Sequence, residues 1–385
     1  MFPEVINQRK HLRRSAKVFR DQVTSQILPD GGHSELASMY HLIVAGELQE
    51  IVALMRRNGL PDTENFDAQL QASLHFSRAL IRPDGSMSLL GDSATDDNNI
   101  RFSVARVGLS DLNYWILNEA KTELLPPNAD KKGLSVEVFP SSGYAFIRNE
   151  SDDRSFSSTF DFGAFSRNPA TDHGHNDALS FDLHALGRPI IVDPGVCFPR
   201  GPVAIPHDYF RGTTAHNTLM IDEREQSKIW RKSDVRKTAI TDLLNLNATK
   251  EIIEIEASCV AYWVTKKTLI HARKIRYLAT GQLEIHDNVR GAGKHNLKWF
   301  FHFSPDINIV TSADGGISGL DTRGVPIFTL VVNAVKTPVL SILKGRVNPP
   351  LGWMSCNSTN LEATYTTIYD ICVELPFQCS FEIRF

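Results

Sequence analysis

Apolar residues recur every three or four positions over residues 5–27, at Leu12, Ala16, Phe19, Val23 and Ile27, which is the spacing of one helix face. Pro29-Asp30-Gly31-Gly32 supplies turn chemistry that stops it. Ser34 is suited to cap a second helix, whose stripe runs Leu36, Met39, Ile43, Ile51, Leu54, Met55 and ends at Asn58-Gly59. The pattern predicts a third helix over residues 64–81, closed by Pro83-Asp84-Gly85, and a fourth over 110–122. Helices joined by short Gly/Pro/Asp turns pair as antiparallel hairpins, so residues 1–125 are expected to be all-α. The pattern changes at Pro126-Pro127-Asn128. Short β-branched and aromatic runs follow, at 134–139, 144–148, 156–162, 178–184, 189–192, 219–221, 252–255, 283–286, 297–303, 328–332, 339–343 and 381–385. Turn signals such as Ser141-Ser142-Gly143 and Asp314-Gly315-Gly316 separate them. Closely spaced strands without helical intervals predict an antiparallel β-sandwich over 126–385. The expected class is therefore α+β, with a helical part followed by a large sandwich.

Composition narrows the function classes. The chain has 385 residues, 42% hydrophobic and 22% charged, enough for a sizeable core. Lysine and arginine total 41 against 44 acidic residues, a net charge of -3, so no global basic field would attract a nucleic acid. No apolar run reaches the ~18 residues of a membrane span. The five cysteines (Cys197, Cys259, Cys356, Cys372, Cys379) form no CxxC pair, so neither a cysteine zinc knuckle nor a disulfide framework is implied. Residues 1–20 carry six basic side chains without an apolar core between them, unlike a secretory signal. As written the chain is expected to be cytoplasmic, or periplasmic or secreted if a signal precedes it.

Chemistry concentrates in residues 171–217. Thr171-Asp172-His173-Gly174-His175-Asn176-Asp177 leads into a strand, a turn at Gly187 returns the chain to Asp193-Pro194-Gly195, and His216 follows. In an extended segment residues two apart share a side, so His173 and His175 can face one cavity. Two imidazoles and a carboxylate make a normal Zn²⁺ shell if a third segment brings in His216. From the residues alone, a metal site and a hydrogen-bonded polar cluster at a sheet edge both stay open. No HExxH exists, which disfavours a zinc hydrolase.

The ordered set His173-Gly174-His175-Asn176-Asp177-Ala178-Leu179-Ser180-Phe181, Gly187-Arg188-Pro189, Val192-Asp193-Pro194-Gly195, Tyr209-Phe210-Arg211 and Ala215-His216-Asn217-Thr218 resembles the heparinase II/III-like family of polysaccharide lyases. The likeness extends to Pro29-Asp30-Gly31-Gly32, Glu35, Ser38-Met39-Tyr40-His41, Arg82-Pro83-Asp84-Gly85, Gly91-Asp92-Ser93 and Phe301-His302-Phe303-Ser304-Pro305. It implies an (α/α) toroid followed by an antiparallel sandwich, and cleavage of acidic glycans by β-elimination. By the same resemblance, a structural zinc falls to His175, Asp193 and His216, and Tyr40 and His173 belong to the catalytic cleft. Elimination needs a base for the weakly acidic proton α to a uronate carboxylate, and a proton for the leaving oxygen. A tyrosine acts as base when nearby positive charge lowers its pKa; His173 is the expected neighbour, or takes the base role itself. Arg211, whose fork suits a carboxylate, and Glu35 are the expected substrate-binding residues.

Each residue also has a simpler reading. Tyr40 fits a helix core with its hydroxyl capped, Arg211 could pair with Asp208, and His41 and His302 fit core positions. The family also places an Asn on a toroid helix well upstream of its tyrosine. Only 39 residues precede Tyr40 and Asn7 sits in the wrong context, so the resemblance implies a shortened member, slow by itself. The rival expectation is a catalytically inactive glycan-binding or structural protein with a zinc-stabilised sandwich.

Overall fold

The helical stripes fold as helices α1 (Gln8–Gln26), α2 (Ser38–Arg57) and α3 (Asp67–Leu80). The structure, a computed structural model, describes residues 8–58, 66–82, 84–94, 133–151, 154–165, 173–198, 205–229, 235–261, 268–312, 315–355, 357 and 359–385. The helix expected over 110–122 lies outside them. The second helix starts later than its sequence signal: Ala37, not Ser34, holds the N-cap position. Ser34 is withdrawn because residues 27 and 33 pair as an isolated β-bridge and its N–H donates to Gln26 O (2.8 Å).

The turn between α1 and α2 is also a docking point. Asp30 accepts hydrogen bonds from Ser142 N–H (2.7 Å) and Ser142 Oγ (2.8 Å) in the first β-hairpin. Gly31 lies at φ +92°, and a Cβ there would stand 2.1 Å from Ala72 O on α3. Only glycine fits this turn.

A five-stranded antiparallel sheet follows, in the order β1 (Leu134–Phe139), β2 (Tyr144–Asn149), β3 (Phe156–Asp161), β4 (Leu183–Ala185) and β5 (Arg188–Ile191). Strand alternation makes it the middle layer. On β2, Tyr144 and Phe146 join the helical core with Leu42, Leu74 and Phe76. Ala145 and Ile147 face the opposite way, onto Ile255, Ile275 and Tyr277 of a ten-stranded sheet. That sheet is built mainly from long antiparallel strands: Ile240–Ala248, Ile252–Ala261, Leu269–Leu278, Gln282–His302 and Tyr365–Arg384 lie side by side in that order. The two runs expected at 283–286 and 297–303 are parts of one strand, with a register shift between Val289 and Gly293.

The strand expected over 178–184 is cut short. Leu179 adopts φ +63° and Ser180 N–H closes a turn onto Asp177 O (2.8 Å), leaving only Leu183–Ala185 as regular strand. Four cysteines, Cys197, Cys259, Cys372 and Cys379, are free thiols. No helix among the described residues is long and apolar enough to cross a membrane.

Candidate active site and metal centre

The site forms where the start of α2, the segment 88–93 and the loop 173–177 meet. Ser38 Oγ donates to Ser88 O (2.6 Å) and accepts from Leu90 N–H (2.9 Å). Ser93 Oγ donates to Leu90 O (2.6 Å) and accepts from Met39 N–H (3.1 Å). These bonds fix the first turn of α2, and so Tyr40, against the loop that carries Asp92.

Asp92 is the centre of the cluster. Its Oδ2 lies 3.0 Å from His173 Nδ1 and its Oδ1 lies 2.8 Å from His175 Nε2. His207, from a short helix α4 (His207–Phe210), places Nε2 3.8 Å from the same Oδ1. Burial would push the Asp92 carboxyl up, but the hydrogen bonds from His173 and His175 outweigh it and hold it well below the usual carboxylate range. His173 packs against Tyr40 with ring centroids 4.3 Å apart, and its Nε2 lies 3.8 Å from Glu35 Oε2. His173, Glu35 and Tyr40 are all partly exposed, so a bound chain could reach them.

The tyrosine does not meet the environment expected for a base. Burial first, then Asp92 and Glu35, raise its pKa above the ordinary value. The positive charge anticipated at His173 is met by two carboxylates that face the same ring. Tyr40 therefore keeps its proton in the free site.

The two histidines expected to bind metal do meet. The rings of His175 and His216 lie 5.2 Å apart, both buried, and Asp177 completes a group whose ligand atoms all fall within 4.8 Å of one another. His175 Nδ1 and His216 Nε2 have no hydrogen-bond partner. Two buried nitrogens without partners beside a carboxylate are what a bound cation would satisfy. Asp193 stands behind His216: its Oδ2 lies 2.7 Å from His216 Nδ1, and its Oδ1 accepts from Gly195 N–H (3.0 Å). Asp193 thus orients His216 as Asp92 orients His175. Burial would lower the His216 pKa, but Asp193 outweighs it and holds it above the ordinary value. A small pocket beside the group is lined by Asp161, Asp177, Asp182 and Asp193. Burial, with Asp177 adding to it, pushes the Asp161 carboxyl well above the usual carboxylate range.

Arg211 is only 5% exposed, and its Nε and Nη2 both donate to Gly174 O (3.3 and 3.2 Å). It braces the turn between the two histidines. Gly174 itself has no room for a side chain, since a Cβ would stand 2.0 Å from Phe165 O. His41 is buried, with Nε2 2.8 Å from Ser77 Oγ, and His302 is buried with Nδ1 2.9 Å from Thr366 Oγ1.

Sequence reasoning singled out neither Asp92 as a site residue nor Asp177 as a ligand, although both lie in segments that carry the family likeness. It also passed over His207 and Phe198, which stack with centroids 4.6 Å apart and planes 14° apart. Phe198 is 57% exposed at the rim of the cluster. An aromatic in a loop without periodicity gives no sequence signal.

Behind the site, Arg273 crosses the sandwich. It forms a two-pronged ion pair with Asp287 (Nε to Oδ1 2.8 Å, Nη2 to Oδ2 2.7 Å) and donates from Nη1 to Leu179 O and Asn217 O, each 2.7 Å. Asn217, next to His216, donates to Phe181 O and Val192 O and accepts from His302 N–H. Loop 173–181, Asp193 and His216 are thereby tied to one buried frame.

Helices packed on an antiparallel sandwich, with a Tyr–His pair beside a candidate cation centre, define the architecture. Within it, the family model "Heparinase II/III-like, C-terminal" matches residues 131–381 and "Heparinase II/III N-terminus" matches residues 1–110. The chain belongs to the heparinase II/III-like family. It is 23% identical over 258 residues to a heparin-sulfate lyase of Bacteroides thetaiotaomicron, a match covering 59% of this chain and 35% of that protein. Its fold is similar to the heparan sulfate lyase of Pedobacter heparinus (TM-score 0.74, 17% identity, 100% of this chain and 57% of that one). It is equally similar to a structure of heparinase III (TM-score 0.74, 18% identity, 99% and 58%). The chain spans little more than half the length of these solved relatives and about a third of the curated one. These likenesses carry the α+β class expected from the sequence.

Proposed function

We propose that this chain carries the catalytic cleft of a lyase that cleaves a uronate-containing acidic glycosaminoglycan, of the heparan type named for its relatives, by β-elimination. The observation that supports it most directly is the packing of Tyr40 on a His173 held by Asp92. In this reading His173, held by Asp92, takes the proton α to the uronate carboxylate. As that C–H bond breaks, the ring double bond forms and the glycosidic C–O bond on the neighbouring carbon breaks. Tyr40, which keeps its proton, gives it to the departing oxygen. One proton is taken and one returned. Glu35 accepts a sugar hydroxyl, and Phe198 offers a flat apolar face to a neighbouring sugar ring. Arg211 acts through the Gly174 turn, since its burial keeps it from the sugar.

In the same reading, Zn²⁺ is held by His175 Nδ1, His216 Nε2 and Asp177, with Asp193 orienting His216 from behind. When bound it supplies a fixed positive charge that locks the loop to the sandwich.

The test is ultraviolet absorbance of the unsaturated uronate during incubation with heparan sulfate, heparin and, as an unsulfated comparison, alginate. Elimination creates that chromophore, whereas hydrolysis and binding do not. Tyr40→Phe and His173→Ala are each expected to lower the rate about 10²–10⁴-fold while folding and metal content stay unchanged. Retained glycan binding with no chromophore from any of the three polymers would replace this reading by that of a non-catalytic glycan-binding protein.

A further inference from the structure

We propose that the basic face of α1 is a second binding surface for a sulfated acidic glycan, holding the polymer where it extends beyond the cleft. The choice of polymer rests on the lyase reading above; the surface itself does not.

Helix α1 carries six lysines and arginines, Arg9, Lys10, Arg13, Arg14, Lys17 and Arg20, and one acid, Asp21, in a chain whose net charge is -3. At about 100° per residue the six positions fall within an arc of about 140° and span roughly 16 Å of helix. The apolar stripe occupies a separate face, turned into the protein: Val23 is buried, and Phe19 packs on Phe66 with ring centroids 4.9 Å apart. Arg14, Lys17 and Arg20 are exposed.

This pattern works against the helix that carries it. Arg9 and Arg13, Lys10 and Arg14, and Arg13 and Lys17 are like charges four residues apart, which repel on a helix surface. The first turn holds no acid and the last turn no base, so the charge also opposes the helix dipole. A face that only kept the helix soluble would mix the two signs. A bound polyanion removes both penalties. A row of sulfates and carboxylates supplies the complementary charge, and the fork of arginine, four of the six, suits oxyanions.

The place of the helix in the fold identifies the occupant. Its last turn reaches the wall of the cleft: Gln26 Oε1 lies 3.3 Å from His33 Nε2, Glu35 N–H donates to His33 Nδ1 (3.4 Å), and Glu35 Oε2 lies 3.8 Å from His173 Nε2. A polymer leaving the cleft past Glu35 therefore has α1 beside it. An anionic membrane fits worse, because the apolar face that would enter the lipid is packed inside the protein. A single-stranded nucleic acid fits worse, because the basic face has no aromatic on which bases could stack.

The test reads binding rather than turnover. In the Tyr40→Phe background, to keep the polymer intact, anisotropy of end-labelled heparin fragments is followed against salt with and without Arg14→Gln/Lys17→Gln. For a long fragment the double substitution is expected to weaken binding about 3–10-fold and to lower the slope of log affinity against log salt by about one to two. For a tetrasaccharide, which the cleft can hold by itself, the change should stay below about twofold, since salt screens charges that far away. A second measurement needs no substitution to fold. On the unaltered chain the long fragment should shield Lys17 from acetylation, read by mass spectrometry, and leave the exposed Lys250, between strands Ile240–Ala248 and Ile252–Ala261, as reactive as before. Equal affinity of the two forms for the long fragment, or a Lys17 equally reactive with and without it, would overturn the proposal. So would tighter binding of duplex DNA or of phosphatidylserine vesicles to the same face, lost with the same two residues. Failure of the lyase reading would show separately, as no chromophore from a chain that still binds heparin through α1.

Discussion

Acidification should unfold this protein through histidines buried in their neutral form, and His41 allows the size of the effect to be worked out. His41 lies in the first turn of α2, 2% exposed, with Nε2 bonded to Ser77 Oγ and its ring edge-on to Phe76 at 4.6 Å. Burial first, then the nearby His33, lowers its pKa from 6.5 to about 3. The unfolded chain therefore takes up a proton near pH 6.5 that the folded chain refuses until about pH 3. The stability contributed by the neutral ring is complete above pH 6.5 and is lost progressively as the pH falls towards 3. Each pH unit in that window costs about 1.4 kcal/mol, so His41 alone removes roughly 3 kcal/mol between pH 6.5 and 4.5. Buried His33 (about 4) and His302 (about 3) act in the same direction. The assay is urea unfolding followed by tryptophan fluorescence at pH 7.5, 6.5, 5.5 and 4.5, on the unaltered chain and on His41→Gln, which can still donate to Ser77 but cannot titrate. The variant is expected to be less stable at pH 7.5, since it gives up ring packing, yet to lose less as the pH falls. The two curves should approach by about 1.4 kcal/mol per unit below pH 6.5. Parallel curves across the whole range would refute the reasoning.

Other outcomes follow from the same geometry. Replacing Arg273 with Met should cost about 3–5 kcal/mol in denaturant unfolding, because it leaves the buried Asp287 without its cation, held only by His271 and Trp299, and two carbonyls unmet inside the sandwich. An unchanged midpoint would remove Arg273 from the frame that ties the site together. Zinc binding to the metal-free protein should release protons increasingly as the pH falls, because the cation needs the neutral form of His216, whose pKa Asp193 holds above the ordinary value; calorimetry in buffers of different ionisation enthalpy measures this, and buffer-independent heats across that range would contradict it. Asp177→Asn should weaken zinc binding more than Asp193→Asn does, measured by competition with a chromophoric chelator, and the reverse order would make Asp193 the ligand. Phe198→Ala should raise KM for an oligosaccharide about 2–10-fold with kcat largely kept, since it removes only a stacking face. An unchanged KM would remove it from the sugar path.

The parts of this molecule that were legible in the sequence are those whose signal is local. The stripe over 5–27 became Gln8–Gln26, and the alternating run at 134–139 became Leu134–Phe139, because helix and strand periods follow from which face each segment buries. Long strands such as Leu269–Leu278, LIHARKIRYL, were overlooked because charged residues interrupt the apolar pattern. Their outer side chains pair across strands, as Arg276 does with Glu254 and Glu284, and only the sheet supplies those partners.

The site divides in the same way. The sequence by itself indicated that His173 and His175, one residue apart, can face one cavity, and the family resemblance implied that His216 joins the second of them. Backbone geometry alone places such pairs. Only the tertiary structure decided which group the two share. Asp92 lies 81 residues from His173 in the chain and reaches it because serine hydroxyls sew its loop to α2. The structure also turned Arg211 inward onto a carbonyl, set two carboxylates against the Tyr40 ring, and brought Asp177 rather than Asp193 alongside the unpartnered nitrogens. Each of these depends on the direction and burial of a side chain. Spacing along a chain fixes which residues can meet, whereas packing fixes which atoms face each other and at what cost in charge.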